Sequence, residues 1–193
     1  MKKNGLILLC LMFLVSCVRS LTVSPPDTAT AGRQDAEFLE SIVKLGKNGD
    51  WLIIRGYHPQ DDLIVAMTGT PLSHAGILDM EKKLVIEALA GGVTVTGLDS
   101  FIHKSHRIIL IRPKWAAGTN GDAAIAQARK LVGRGYDFLG LVGIDSKKRF
   151  YCTELAMYIY REHQKNDRDI PKIIQPAQMY LWGTILYDSR PRN

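Results

Sequence analysis

Residues 73–89 read Ser73-His74-Ala75-Gly76-Ile77-Leu78-Asp79-Met80-Glu81-Lys82-Lys83-Leu84-Val85-Ile86-Glu87-Ala88-Leu89, two short apolar runs on either side of a polar tip. Each run has the length and composition of a strand, and the polar stretch between them reads as a hairpin turn. Two residues stand out. His74 begins the first strand, and Glu87 is a carboxylate inside a mostly apolar strand, where it is costly unless exposed or paired. With Met80 and Glu81 at the tip, paired residues have numbers summing to 161. His74 and Glu87 are then direct cross-strand neighbours, with Cβ atoms about 5 Å apart. A two-residue shift of the turn leaves them diagonal neighbours on the same face, whereas a one-residue change puts them on opposite faces.

Outward from this hairpin, residues 50–55, 93–95, 108–112 and 184–187 read as further strands. Residues 33–47 predict a first helix, with Phe38, Ile42, Val43 and Leu45 on its apolar stripe. Residues 123–132 predict a second helix, stopped by Gly133 and Gly135. Residues 152–163 predict a third, with Leu155, Ala156, Ile159 and Tyr160 at spacings of three and four. Helices at both ends with strands grouped between them give an α+β class. The path of residues 61–71 has no clear pattern.

The amino terminus is organised differently. Lys2 and Lys3 precede an apolar run over residues 5–15, too short to span a bilayer but suited to the core of a secretory signal. The run closes on Leu14-Val15-Ser16-Cys17, which resembles a bacterial lipobox and implies lipid attachment at Cys17. Val18 follows, with no Asp at that position, a pattern that in Gram-negative bacteria resembles sorting to the outer membrane. The expected organisation is a signal peptide over residues 1–17, a flexible tether over 18–34 and a folded domain over 35–193. The tether carries Ser24, Pro25, Pro26, Thr28 and Thr30 with few large apolar groups.

Charge narrows the function classes. Without Lys2 and Lys3 the chain has 23 basic residues against 19 acidic ones, a balance of +4. That is mild, and no basic helix, finger spacing or aromatic stacking platform accompanies it, so nucleic acid is not an expected partner.

Of the three cysteines, Cys10 lies in the signal and Cys17 at the lipobox, which leaves Cys152 as the one free thiol of the exported domain. A lone thiol where disulfides are favoured is either a buried inert residue or a reactive one. Its position favours the second reading. The loop Asp145-Ser146-Lys147-Lys148-Arg149 precedes it and an apolar helix follows. The positive end of a helix stabilises a thiolate, and the unpaired N–H groups there can hold an oxyanion.

A thiol nucleophile needs a base, and a third group to orient that base. Of His58, His74, His103, His106 and His163, His74 is the best candidate, and Glu87 is the orienting carboxylate. His103 and His106 have a metal-like spacing, but Lys104 and Arg107 sit beside them and no Cys, Asp or Glu does. No metal or organic cofactor is expected. Asp137 in Gly135-Tyr136-Asp137-Phe138 reads as a turn residue, and Gly91-Gly92 as a turn.

Four motifs in order carry a resemblance: Ser73-His74-Ala75-Gly76-Ile77, then Glu87, then Tyr136-Asp137-Phe138, then Tyr151-Cys152-Thr153-Glu154-Leu155. Together with Gly49-Asp50-Trp51-Leu52-Ile53-Ile54-Arg55-Gly56 they resemble the permuted papain-like amidases of the YiiX and YaeF type, within the NlpC-like superfamily. In unpermuted members the cysteine comes first, whereas here the histidine does. The resemblance covers roughly residues 50–187. It implies a circularly permuted papain-like fold, an antiparallel sheet packed on helices, with Cys152 as nucleophile, His74 as base and Glu87 as the orienting residue.

Three functions compete. One is an amidase or peptidase acting through an acyl-enzyme on a peptide or amide substrate, with cell-wall peptides the natural choice for an anchored protein. The second is a lipid-directed hydrolase or acyltransferase, as related permuted families resemble lecithin–retinol acyltransferase. It calls for an apolar channel near Cys152, and Met179-Tyr180-Leu181-Trp182 would line that channel or belong to the core. The third is a non-catalytic envelope-binding lipoprotein.

Overall fold

The computed structural model describes residues 22–144, 146, 148–165, 167 and 169–192. The signal segment, Cys17, Asp145 and Lys147 lie outside the described residues. Among the described residues no helix is long and apolar enough to cross a membrane.

A six-stranded antiparallel sheet has helices on both faces. Its strands are β1 (Trp51–Gly56), β2 (His74–Asp79), β3 (Leu84–Leu89), β4 (Gly92–Gly97), β5 (Ser105–Pro113) and β8 (Gly183–Asp188), in the spatial order β4-β3-β2-β1-β5-β8. A separate parallel pair joins β6 (Gly135–Tyr136) to β7 (Arg149–Phe150). The helices are α1 (Thr28–Leu45), α2 (Pro59–Thr68), α3 (Leu98–His103), α4 (Asn120–Leu131) and α5 (Cys152–Tyr158).

β1 is buried along its whole length, because its side chains alternate into two cores. Trp51 and Ile53 join Ala75, Ile77, Ile86 and Ile111 under α4 and α5. Leu52 and Ile54 join Leu78, Val85, Leu110 and the α1 and α3 residues Phe38, Ile42 and Phe101. Trp51 fixes α5 to the sheet by donating its indole N–H to the Ala156 carbonyl at 3.1 Å. Its ring meets Tyr160 and Trp115 edge-on at 6.1 and 6.2 Å. Such aromatic pairs contribute about 0.5–1.5 kcal/mol each beyond area burial.

Several expected boundaries move. α1 starts at Thr28 rather than residue 33, because the Asp27 side chain accepts the Ala29 and Thr30 N–H groups, both at 3.1 Å. Residues 28–34, expected as tether, are therefore helical. The third expected helix, over 152–163, ends at Tyr158 and gives way to a 3₁₀ turn over Arg161–His163. Tyr160 breaks it by turning its hydroxyl to the Gly49 carbonyl at 3.0 Å while its ring packs against Trp51.

Residues 61–71, without a pattern in the sequence, mostly form α2. Pro59 opens this helix and Gly69, at φ +65°, closes it. Its weak signal has a cause: Val65 is its one buried residue, while Leu63 and Met67 face outward at 58% and 66% exposure. α3, which the residue patterns do not announce, contributes Leu98, Phe101 and Ile102 to the core.

Candidate active site

The register of the β2–β3 hairpin sets the geometry. Asp79 pairs with Leu84, leaving a four-residue turn, and Gly76 pairs with Glu87. Direct pairing of His74 with Glu87 is thus corrected by two residues. The two residues are diagonal neighbours on one face. The turn is longer than the two-residue tip because Lys83 adopts a left-handed conformation at φ +51°. Glu87 nevertheless reaches the ring: His74 Nε2 and Glu87 Oε2 are 2.6 Å apart.

Gly76 makes this arrangement possible. A Cβ there would lie 2.5 Å from Val85 Cγ1 and 2.9 Å from Phe101 Cε2. With no side chain opposite Glu87, Phe101 fills the space, its ring 6.2 Å from that of His74.

Cys152 is the first residue of α5, which packs on β2 and β3. Its side chain hydrogen-bonds His74. Since Nε2 faces Glu87, Nδ1 is the ring nitrogen left for the thiol. Thr153 secures the start of the helix by donating to the Ile174 carbonyl at 2.6 Å. Glu154 Oε2 accepts the Tyr151 N–H at 3.2 Å. Cys152 is 9% exposed and is the one free cysteine among the described residues. Its burial is that of a structural cysteine, but its hydrogen bond to His74 is not.

The electrostatics follow from these contacts. Burial opposes a charge on His74, but the hydrogen bonds to Cys152 and Glu87, and the charges of both, push the imidazole up to about 9. Burial also opposes the charge on Glu87, yet His74 and then Lys104 bring its carboxyl down to about 2. Burial, together with the neighbouring Cys152 and Glu154, pushes the pKa of the Tyr136 and Tyr151 phenols up, so both rings are neutral near Cys152.

Two further partners of Glu87 are absent from the reading of the sequence. Lys104 Nζ bridges both carboxylate oxygens at 2.7 and 2.6 Å, and Thr96 donates its hydroxyl to Oε1 at 2.5 Å. The signal for Lys104 lay in the His103–His106 segment, where its charge argued against a metal but was not matched to a buried carboxylate in need of a cation. The histidines around it go elsewhere. His103 Nδ1 lies 2.8 Å from Asp35, and His106 packs edge-on to Tyr57 at 5.7 Å. Among the described residues no group of three His, Cys, Asp or Glu is placed to hold a metal ion. Asp137 has the turn role expected of it, accepting the Gly140 and Ser146 N–H groups at 2.9 and 3.0 Å. Met179 and Trp182 are buried in the core with Cys152, whereas Tyr180 and Leu181 are exposed.

A thiol at a helix start, a strand imidazole bonded to it and a carboxylate behind the ring, on an antiparallel sheet, is the arrangement of papain-like cysteine hydrolases. The chain belongs to the permuted branch of that class: residues 48–180 match the family described as permuted papain-like amidase enzyme, YaeF/YiiX, C92 family. The fold is also similar to the crystal structure of YiiX from Escherichia coli O157:H7, described as a metalloprotein. The TM-score is 0.60 at 20% identity, over 75% of this chain and 98% of that one. No curated protein matches the chain.

Proposed function

We propose that this protein is a membrane-anchored cysteine amidase that cleaves amide bonds of cell-wall peptides through an acyl-enzyme on Cys152. The observation that carries the reading is the hydrogen-bonded series Cys152–His74–Glu87 at the start of α5. With its imidazole pushed up to about 9, His74 is protonated at neutral pH and is placed to stabilise negative charge on the Cys152 sulfur. The Cys152 sulfur attacks the amide carbonyl carbon, and the Cys152 backbone N–H at the start of α5 helps hold the oxyanion. As the C–N bond breaks, His74 gives its proton to the departing amine. Neutral His74 then takes a proton from water, the resulting hydroxide opens the thioester, and the acid leaves. Glu87 holds the ring in place throughout.

The test is iodoacetamide alkylation of Cys152 at about pH 6. Loss of the imidazolium in His74→Ala is expected to slow the reaction at least about tenfold. Equal rates in the two proteins would make Cys152 a structural residue and leave the envelope-binding reading in its place. Hydrolysis of peptidoglycan stem peptides by wild type, absent in Cys152→Ala, tests the substrate.

A second reading, a lipid-directed hydrolase or acyltransferase, is supported by one feature. Phe138, Leu139 and Ile144, on the segment that follows β6, are exposed at 58%, 57% and 58%. The segment stands close to the site, since a Cβ on Gly140 would lie 3.0 Å from the Tyr151 ring. Turnover of long-chain acyl esters in preference to stem peptides would establish it.

Anchoring rests on the lipobox-like Leu14-Val15-Ser16-Cys17. Incorporation of a clickable fatty acid in cells, lost in Cys17→Ser, is the expected result. Labelling that survives the substitution would remove the anchor from the proposal.

A further inference from the structure

Glu87 is fully buried and has four close polar contacts. His74 and Lys104 meet at Oε2, and Thr96 and Lys104 at Oε1. The Lys104 ammonium lies over the Phe101 ring, with Nζ 4.7 Å from its centroid, so the ring that supports His74 also supports the lysine. Each partner comes from a different part of the fold: His74 from β2, Thr96 from β4 and Lys104 from the end of α3.

Charge counting gives the arrangement its meaning. A reactive thiolate, an imidazolium and a carboxylate carry one net negative charge. In a buried site such an excess disfavours one of the two anions. The charge given up would be the thiolate, since His74 and Thr96 alone already hold the carboxylate. A second cation bound to Glu87 brings the sum to zero and leaves charges of alternating sign: sulfur, imidazolium, carboxylate, ammonium. Among the remaining neighbours Thr96 is neutral and the Tyr136 and Tyr151 phenols stay protonated, while the Asp137 and Glu154 carboxylates lie beside those phenols, bonded to backbone N–H groups, and are the same in every variant compared below.

We propose that Lys104 is a positioning residue of this site: by bridging both oxygens of Glu87 it neutralises the buried carboxylate, so that His74 can pair with a Cys152 thiolate. The inference rests on the Cys152–His74–Glu87 reading above. Lys104 does not touch the reacting atoms and acts only through Glu87.

The experiment is the pH profile of iodoacetamide alkylation at Cys152 in wild type, His74→Ala, Lys104→Gln and Lys104→Arg. Lys104→Gln keeps the stem and a donor but removes the charge. Its profile is expected to move to higher pH, with the rate at about pH 6 falling roughly tenfold. Lys104→Arg, which restores the cation, is expected to return to within about twofold of wild type. A Lys104→Gln profile that matches wild type overturns the inference. So does an Arg variant as slow as the Gln variant, because shape rather than charge would then be what matters. Failure of the underlying reading looks different: His74→Ala itself would leave the wild-type profile unchanged.

A double-mutant cycle keeps the test open if Lys104→Gln alone does not fold. Glu87→Gln removes the buried charge that Lys104 compensates, so adding Lys104→Gln to it is expected to change the rate by less than about twofold. A further tenfold fall in that background would mean that Lys104 acts by a route other than Glu87, and would overturn the proposal.

Discussion

Glu87 sits opposite Gly76, not His74, and its carboxylate crosses the β2–β3 ladder diagonally to reach His74 Nε2 at 2.6 Å. Glu87→Gln keeps the length of the side chain and removes its charge. The His74 midpoint, read by NMR titration of labelled imidazole, is expected to fall from about 9. Acylation of Cys152 by an activated ester is expected to slow by about 10–100-fold, the scale set by losing an orienting and charge-stabilising partner. An unmoved midpoint would mean that the diagonal contact does not govern the ring.

Gly76→Ala tests the spacing behind that contact. The added methyl would meet Val85 and Phe101 at 2.5 and 2.9 Å, and both belong to a close-packed core. Overpacking of this kind costs about 1–3 kcal/mol. Urea unfolding should show the loss, and Cys152 alkylation should slow because Phe101 supports His74. A variant as stable as wild type would show that the hairpin and α3 separate more easily than their packing indicates.

The pair also shapes stability against pH. His74 is raised above its unfolded value of 6.5. Its contribution is complete below about pH 6.5 and is lost as pH rises through about 9. Glu87 is lowered from 4.5, so its contribution is present above about pH 4.5 and is lost as pH falls toward 2. Melting temperature should therefore decline on both sides of a plateau between those limits. His74→Ala should abolish most of the alkaline decline, and a decline of unchanged size in that variant would assign it to other groups.

Away from the site, Asp79 is buried at the end of β2, and Arg129 of α4 grips both its oxygens at 2.7 Å. Arg129→Ala leaves that carboxylate without its guanidinium. The denaturation midpoint is expected to fall, by less than for loss of a fully buried partner because Arg129 is partly in water. Chemical denaturation measures it, and an unchanged midpoint would show that water replaces the guanidinium.

What the sequence revealed and what it withheld divide along physical lines. β1, β2, β3 and α5 were legible because their apolar periods are strong, and the order His74, Glu87, Cys152 was enough to point to the family. The exact hairpin register was not, because it depends on the left-handed conformation of Lys83, which no side-chain preference announces. α2 was hidden because Val65 alone marks a buried face. Lys104 and Thr96 were hidden for another reason. Each is ordinary in its own segment and becomes significant only when folding sets it against Glu87 from another strand or helix.

The permuted order also has a consequence for how the protein is made. His74 and Glu87 lie on one hairpin within residues 74–89, whereas the thiol comes more than sixty residues later on α5. Synthesis from the amino terminus therefore completes the histidine–carboxylate half before the Cys152 sulfur exists. On the proposed mechanism, a nascent chain that stops short of residue 152 lacks the nucleophile, however well its hairpin forms. The thiol meets His74 only when α5 docks on β2 and β3, so no single segment of the chain carries the assembled pair by itself.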